Sequence, residues 1–251
     1  MALIQKERAL ILVKAFPQPS QKYEETVCCA GITPDGGFVR LYPIRYRHLP
    51  PEKRFDRWDV IEYEAARPRD DYRPESRHVN EDTIRILQRG VQLSDEQRVR
   101  LWAPHVSASL VKLKEENEAT ERSLGVVRPD ESPVTFHFKK LSAEDARAKQ
   151  AEFKQVSLLQ SETLPDLPVE YDFTYRFTCA GTKHAMKIHD WEVQAAYLAY
   201  KRKYKNQALA VLLDEYQDRI PLRNLHLVMG TMHAHPRQFI IIGLLRSPGS
   251  P

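Results

Sequence analysis

Short alternating stretches separated by glycine and proline turns fill the first third of this chain, and they leave few folds open to it. Ala9–Phe16 (ALILVKAF) reads as a strand that ends in the turn-rich Pro17–Gln21 (PQPSQ). Glu25–Ile32 (ETVCCAGI) reads as a second strand, and Thr33–Gly37 (TPDGG) after it carries the Asp-Gly hairpin signal. Phe38–Ile44 (FVRLYPI) is a third, with Phe38, Arg40 and Tyr42 on one face and Val39 and Leu41 on the other. Pro43 bends that strand near its end or places the end at an edge. Arg57–Ala65 alternates again, and Ser76–Val79 is a short fifth stretch. Strands this short and this closely spaced predict a small barrel.

The middle of the chain switches to helical spacing. Ser94–Leu101 opens with a start signal, and Val106–Ala119 places Val106, Leu110 and Leu113 on one face. Strand patterns return at Leu124–Arg128 and Val134–Phe138. Ser142–Lys154 reads as a polar helix capped by Ser142, and Ser157–Pro168 reads as a linker. Glu170–Thr178 and His184–Ile188 then form a strand pair. Asp190 caps a helix striped by Val193, Tyr197, Tyr200 and Tyr204, with Trp191 anchoring it, and Leu209–Ile220 continues helical. Leu225–Met232 and Phe239–Leu245 close the chain as a β pair. The second member is apolar on both faces, which predicts a central buried strand. The expected division is a barrel over 1–92, a helical connector over 93–122 and a second strand set with inserted helices over 123–251, an α+β chain.

Composition excludes some classes. At 42% hydrophobic the chain can bury a core. No apolar run approaches the roughly 20 residues that span a bilayer, and the first residues lack a leader pattern, so a cytoplasmic, membrane-free protein is expected. Cys28, Cys29 and Cys179 make no disulfide framework. The chain contains no phosphate-binding P-loop, no dinucleotide fingerprint and no nucleophile elbow. A net charge of +4 permits phosphate binding without requiring it. The charge is concentrated locally. Arg40, Arg45, Arg47, Lys53, Arg54 and Arg57 are interleaved with Tyr42 and Tyr46, and Lys201–Lys205 forms a second basic run. On a barrel strand, Arg40 and Tyr42 together would offer a phosphate contact and a stacking platform, with Arg45, Arg47 and His48 beside them.

The phrases CCAGITPDGGFVRLYPIRYRHLP, DDYRPESR, ERSLGVVRP, HAMKIHDWE and GTMHAHPRQFIIIGL span most of the chain. In them the sequence resembles a bacterial family of dual OB-containing domain proteins associated with conflict systems and mobile elements. That resemblance implies two small OB-like β-barrel lobes with helical inserts. It also implies a DNA- or RNA-binding accessory role in antiviral defence, alongside other proteins of the same system, with no assigned catalytic residue. Relatives carry a cysteine-rich, histidine-containing segment before Asp190-Trp191-Glu192, of which this chain keeps Cys179 and His184.

Zinc takes four sulfur and nitrogen ligands in a tetrahedron, and Cys179, His184, His233 and His235, with His189 nearby, are the residues that could supply them. His189, Asp190 and Glu192 suggest acid–base chemistry, and Asp59, Glu62 and Glu64 are the strand carboxylates a nuclease would use. Nucleic-acid binding is the leading expectation. The alternatives are a metal-assisted hydrolase or nuclease using the C-terminal His/Asp/Glu cluster, and a protein-interaction scaffold.

Overall fold

Strand β1 (Gln5–Lys14) pairs along both sides and organises the N-terminal part of the computed structural model. The structure describes residues 3–20, 24–131, 133–149, 169–221 and 224–246. The first half of β1 runs antiparallel to β5 (Val60–Ala66), and its second half runs antiparallel to β3 (Glu24–Ile32). A bulge between Ile11 and Val13 turns the strand from one partner to the other. β3 also pairs with the short β2 (Gln18–Ser20) and with β4 (Phe38–Ile44). β4 lies parallel to β6 (Ser76–Gln88), and β6 returns antiparallel to β5. Thus β1, β3, β4, β5 and β6 each have a partner on both sides. Ile11, Val27, Cys29, Val39, Leu41, Ile61, Tyr63 and Phe55 fill the space they surround. Pro43, which has no N–H to donate, follows the last β4–β6 pair, Tyr42–His78. The β3 ladder shifts register across the same stretch.

Helix α1 (Asp95–Trp102) starts at a capping box formed by Ser94 and Gln97. Helix α2 (Leu110–Thr120) starts later than its periodicity suggests. Ser109 caps it, while Val106 is held in a parallel bridge to Val126 and Ser107 donates to the Val126 carbonyl. These backbone bonds to a strand exclude the first turn from the helix.

The C-terminal part has two ladders. In one, β11 (His226–Thr231) lies between β7 (Leu124–Val127) and β12 (Phe239–Leu245). In the other, β9 (Tyr171–Cys179) lies between β8 (Thr135–Lys140) and β10 (Thr182–Lys187). A parallel bridge, Ile188–Ile241, joins the end of β10 to β12. Helix α3 is described over 143–149; the rest of the expected helix to Lys154 lies outside the described residues, as does the expected linker Ser157–Pro168. Helix α4 (Trp191–Tyr204) and helix α5 (Ala208–Leu213), which runs on into π-helical turns at Asp214–Arg219, stand between β10 and β11.

The expectation that Phe239–Leu245 is the central strand is corrected: within this ladder β11 is central, and among the described residues the other edge of β12 carries only the isolated bridge from Ile188. Both faces of β12 are nevertheless buried. Ile241 and Leu244 face the C-terminal core, while Ile242 and Leu245 face a seam against β1 and β3. Leu12, Val13, Ala30 and Ile32 meet Trp102, Leu124, Val126 and Val228 across that seam. Sequence shows that a strand is covered on both faces. It does not show how many hydrogen-bonded neighbours flank its edges, which is what makes a strand central.

Candidate functional site

The second sheet covers the outward face of β3 and β4, and this removes Arg40 from the expected basic surface. Arg40 is 3% exposed. It donates through Nη2 to the Ser123 carbonyl and hydroxyl at 3.0 and 3.1 Å, and through Nη1 to the Cys28 sulfur at 3.2 Å. Its role is to tie β4 to the chain leading into β7. Tyr42 remains at the rim, 36% exposed. Arg45 donates to Glu81 through its backbone N–H and Nε. Arg47 pairs with Glu25 at 2.8 Å, and His48 closes the 3-10 turn Tyr46–His48, partly exposed. Arg45 also lines a recess of about 400 Å³ with Glu64, His78, Glu81 and Asp82. Carboxylates outnumber cations there, so the recess does not suit phosphate.

The far end of the same basic segment opens onto a different surface. Tyr46, Asp56, Arg57 and Trp58 join Lys14 of β1, Arg98 of α1, Trp191, Glu192 and Ala195 of α4, and Arg246 around a cleft of about 620 Å³. That volume falls within the range of small-ligand sites. Four cations face two carboxylates. Sequence reading found Arg57, Tyr46 and Trp191 separately. It missed Lys14, Trp58, Arg98 and Arg246 as members, because only the packing of α1 and α4 against the sheet brings them together.

The local backbone explains why Trp58 projects. Its φ is +71°, a conformation a bulky residue adopts only under strong constraint. The constraint is visible on both sides. Trp58 N–H donates to the Ile11 carbonyl, and the Trp58 carbonyl accepts from Val91 N–H, each at 2.8 Å. Asp59, 3% exposed, accepts from Asp56 N–H and Gly90 N–H and fixes the turn. Asp59 is therefore a turn-former. Glu62 is paired with Lys6 and Arg8 at 2.8 and 3.0 Å, so the strand carboxylates do not gather as a nuclease set.

Cations and rings interlock around the cleft. The Arg57 and Arg98 guanidinium carbons lie 5.2 and 5.0 Å from the Trp58 ring centre. The Nε of each is buried without a hydrogen-bond partner, so ring contact takes the place of a bond there. Lys14 Nζ sits 4.5 Å from the Tyr46 ring centre, and Tyr46 meets Trp191 edge-on at 5.2 Å. Burial alone would lower the Lys14 pKa, but bonds to Asp56 and Tyr46 hold it above the ordinary lysine value.

Beneath the cleft, Asp190 is 2% exposed and caps α4. Its two oxygens accept from Glu192 N–H and Leu244 N–H. Burial, then the nearby Glu192 charge, pushes its pKa up to about 7, against the pull of Arg57. With both oxygens on backbone N–H groups, Asp190 is a structural cap. The acid–base reading of His189, Asp190 and Glu192 loses its central member.

The zinc set does not assemble. Cys179 lies beside Arg128, whose carbonyl accepts from its thiol at 3.4 Å. His184 packs on Phe177, ring centres 5.4 Å apart. Burial, more than the nearby Lys114, lowers its pKa. His233 and His235 are exposed in the turn beyond Thr231. The β11 residue opposite Val127, next to Arg128, is Leu227. The four strand residues from there to Thr231 separate the two groups by about 13 Å. No cluster of three metal-binding side chains occurs among the described residues.

Residues 69–77, rich in both charges, form an ordered connection. Arg73 and Asp71 form a buried pair at 2.6 Å, and Arg73 reaches the Thr231 carbonyl. Burial alone would raise the Asp71 pKa, but bonds from Arg73 and Ser76 hold it at about 2. Glu75 accepts from the backbone N–H groups of Ser123 and Leu124.

Among the described residues no helix is long and apolar enough to cross a membrane. No curated protein matches the chain. A family model described as a domain of unknown function, DUF8758, matches residues 5–104, and a second, DUF8757, matches residues 105–250. The second match spans more than half of the sequence, so the chain belongs to the family described as domain of unknown function DUF8757.

Proposed function

We propose that the protein binds nucleic acid in this cleft, as an accessory component of a prokaryotic defence or mobile-element system. The observation that carries the reading is the convergence of Lys14, Arg57 and Arg98 on the rings of Tyr46, Trp58 and Trp191, with Arg246 lining the same cleft. Cations attract phosphates, and aromatic or guanidinium planes stack with an unpaired base whatever its identity.

On this reading each half of the chain is an OB-like barrel lobe. Strand order supports it. In the N-terminal half the neighbours run β1, β3, β4, β6, β5 and back to β1, with β4 parallel to β6. In the C-terminal half β7 and β8 act as one interrupted first strand. The neighbours then run β9, β10, β12, β11 and back to β7, with β10 continuing into the parallel bridge to β12. Helices α4 and α5 stand between the third and fourth strands of that half. Barrels of this kind bind oligonucleotides on the face of the second and third strands. In the N-terminal lobe that face carries Ala30, Ile32 and Arg40 and is occupied by the other lobe. This moves the proposed contact from the Arg40–Tyr42 strand to the cleft. Tyr42, Arg45, Arg47 and His48 are left as a peripheral rim.

Fluorescence anisotropy with labelled single-stranded DNA, single-stranded RNA and duplex DNA tests the proposal. Binding at low salt is expected, strongest for single strands. Arg57→Ala with Arg98→Ala should weaken it by about thirtyfold or more, at about 1–2 kcal/mol for each charge-assisted contact. Arg45→Ala with Arg47→Ala should weaken it less. Absence of affinity for every probe at low salt refutes the proposal.

A further inference from the structure

We infer that Asp56 and Glu192 occupy two phosphate subsites of the cleft, so that its ligand is one that brings two neighbouring phosphates to displace both carboxylates. The inference rests on the proposed nucleic-acid reading and names what the cleft selects.

The two pairs share one design. Lys14 is anchored from behind: its ammonium donates to the Phe55 carbonyl at 3.2 Å and to the Tyr46 hydroxyl at 3.1 Å. Its side chain is 11% exposed, while its partner Asp56, at 2.6 Å, is 73% exposed. Arg57 is anchored in the same way. Nη2 donates to the Leu244 carbonyl at 2.7 Å, and the guanidinium lies against Trp58. Its side chain is 14% exposed, while its partner Glu192, at 2.9 Å, is 45% exposed. In each case a fixed cation turns one donor toward the cleft, and a solvent-facing carboxylate covers it. A phosphate oxygen makes the same charge-assisted bond at the same N···O distance. The displaced carboxylate swings into water and regains its hydration, so little is lost on the protein side.

This exchange has a thermodynamic consequence. A strand releases condensed counterions in proportion to the net positive charge brought against its phosphates. Cations that keep their own carboxylates within a few ångströms bring little net charge. The unmodified cleft should therefore bind with a shallow salt dependence. Asp56→Asn and Glu192→Gln keep shape but remove the competitor, and should do two things at once. Affinity should rise about two- to fivefold for each substitution, the value of an exposed ion pair. The slope of log affinity against log salt should steepen by up to about 0.7 for each carboxylate removed, the single-strand value per phosphate.

The experiment is a salt titration of fluorescein-labelled oligothymidylate against the full chain, Asp56→Asn, Glu192→Gln and the double variant. Glu115→Gln is the control. Glu115 is an exposed carboxylate 3.1 Å from Lys112 on α2, outside the cleft, and its loss raises net charge equally. Tighter binding with a steeper slope in the cleft variants but not in the control supports the inference. If the unmodified chain binds but the cleft variants match it, or the control behaves as they do, the subsites are overturned and the nucleic-acid reading stands. If no protein binds, both fall.

Discussion

Replacing Gly243 by alanine adds one methyl group where β12 crosses β1, and this tests whether the two sheets pack as described. The added carbon would lie 1.9 Å from Val13 Cγ1, 3.1 Å from its Cβ and 3.2 Å from its Cγ2. A carbon pair needs about 3.5–4.0 Å, so something must move by roughly 2 Å. Val13 is poorly able to yield. It is 4% exposed, lies in the seam core, and is branched at Cβ with few rotamers. Overpacking of this kind costs about 1–3 kcal/mol. For a chain of this size each kcal/mol lowers the melting temperature by roughly 2–4 °C. Without the crossing the sign would reverse, since alanine in place of a strand glycine gains about 0.4–1 kcal/mol by restricting the unfolded chain. Urea unfolding of Gly243→Ala, Val13→Ala and the double variant provides the assay. Val13→Ala opens the space that the new methyl needs, so the double variant should recover about 1 kcal/mol or more relative to the sum of the singles. A Gly243→Ala protein as stable as the parent, or strictly additive effects, refutes the packing argument.

Other outcomes follow from the same geometry. Arg40→Ala should cost about 2 kcal/mol in urea unfolding, because its bonds to Ser123 are lost inside the seam. It should leave oligonucleotide affinity unchanged, and a selective loss of affinity would restore Arg40 to the binding surface. Asp190 is raised from 3.8 to about 7 in the folded chain, so the folded state holds that proton more tightly than the unfolded one. Its contribution is then most favourable below pH 4 and declines as pH rises to about 7. The melting temperature of the parent minus that of Asp190→Asn should fall over that interval, and a flat difference sinks the assignment. Incubation with EDTA should leave the melting temperature unchanged, because Cys179 and His184 do not meet His233 and His235. A chelator-dependent fall would show that they do.

Local signals in the sequence were reliable where neighbouring residues decide the outcome. The strands at Glu25–Ile32 and Phe38–Ile44, the Asp35-Gly36 turn, the helix start at Ser94 and the Asp190 cap are each set by residues a few positions apart. Val106 shows where such reasoning stops: its spacing fits a helix, yet a bridge to Val126 from another element holds it extended. Arg40 shows it more sharply. Strand alternation does place it with Tyr42 on one face, but it cannot say that a second sheet covers half of that face.

The sequence by itself determined an α+β chain of short strands, the helix starts at Ser94 and Asp190, and a basic–aromatic segment from Arg40 to Arg57, because dihedral preference, strand period and capping act within a few residues. Tertiary structure decided which members of that segment face solvent. Packing the chain that leads into β7 over β3 and β4 buried Arg40, and packing α4 against the N-terminal sheet brought Tyr46 and Arg57 together with Trp191. It also separated Cys179 from the His233–His235 turn along the length of β11. Those outcomes depend on residues 51 to 135 positions apart meeting in space, and no local pattern encodes such a meeting.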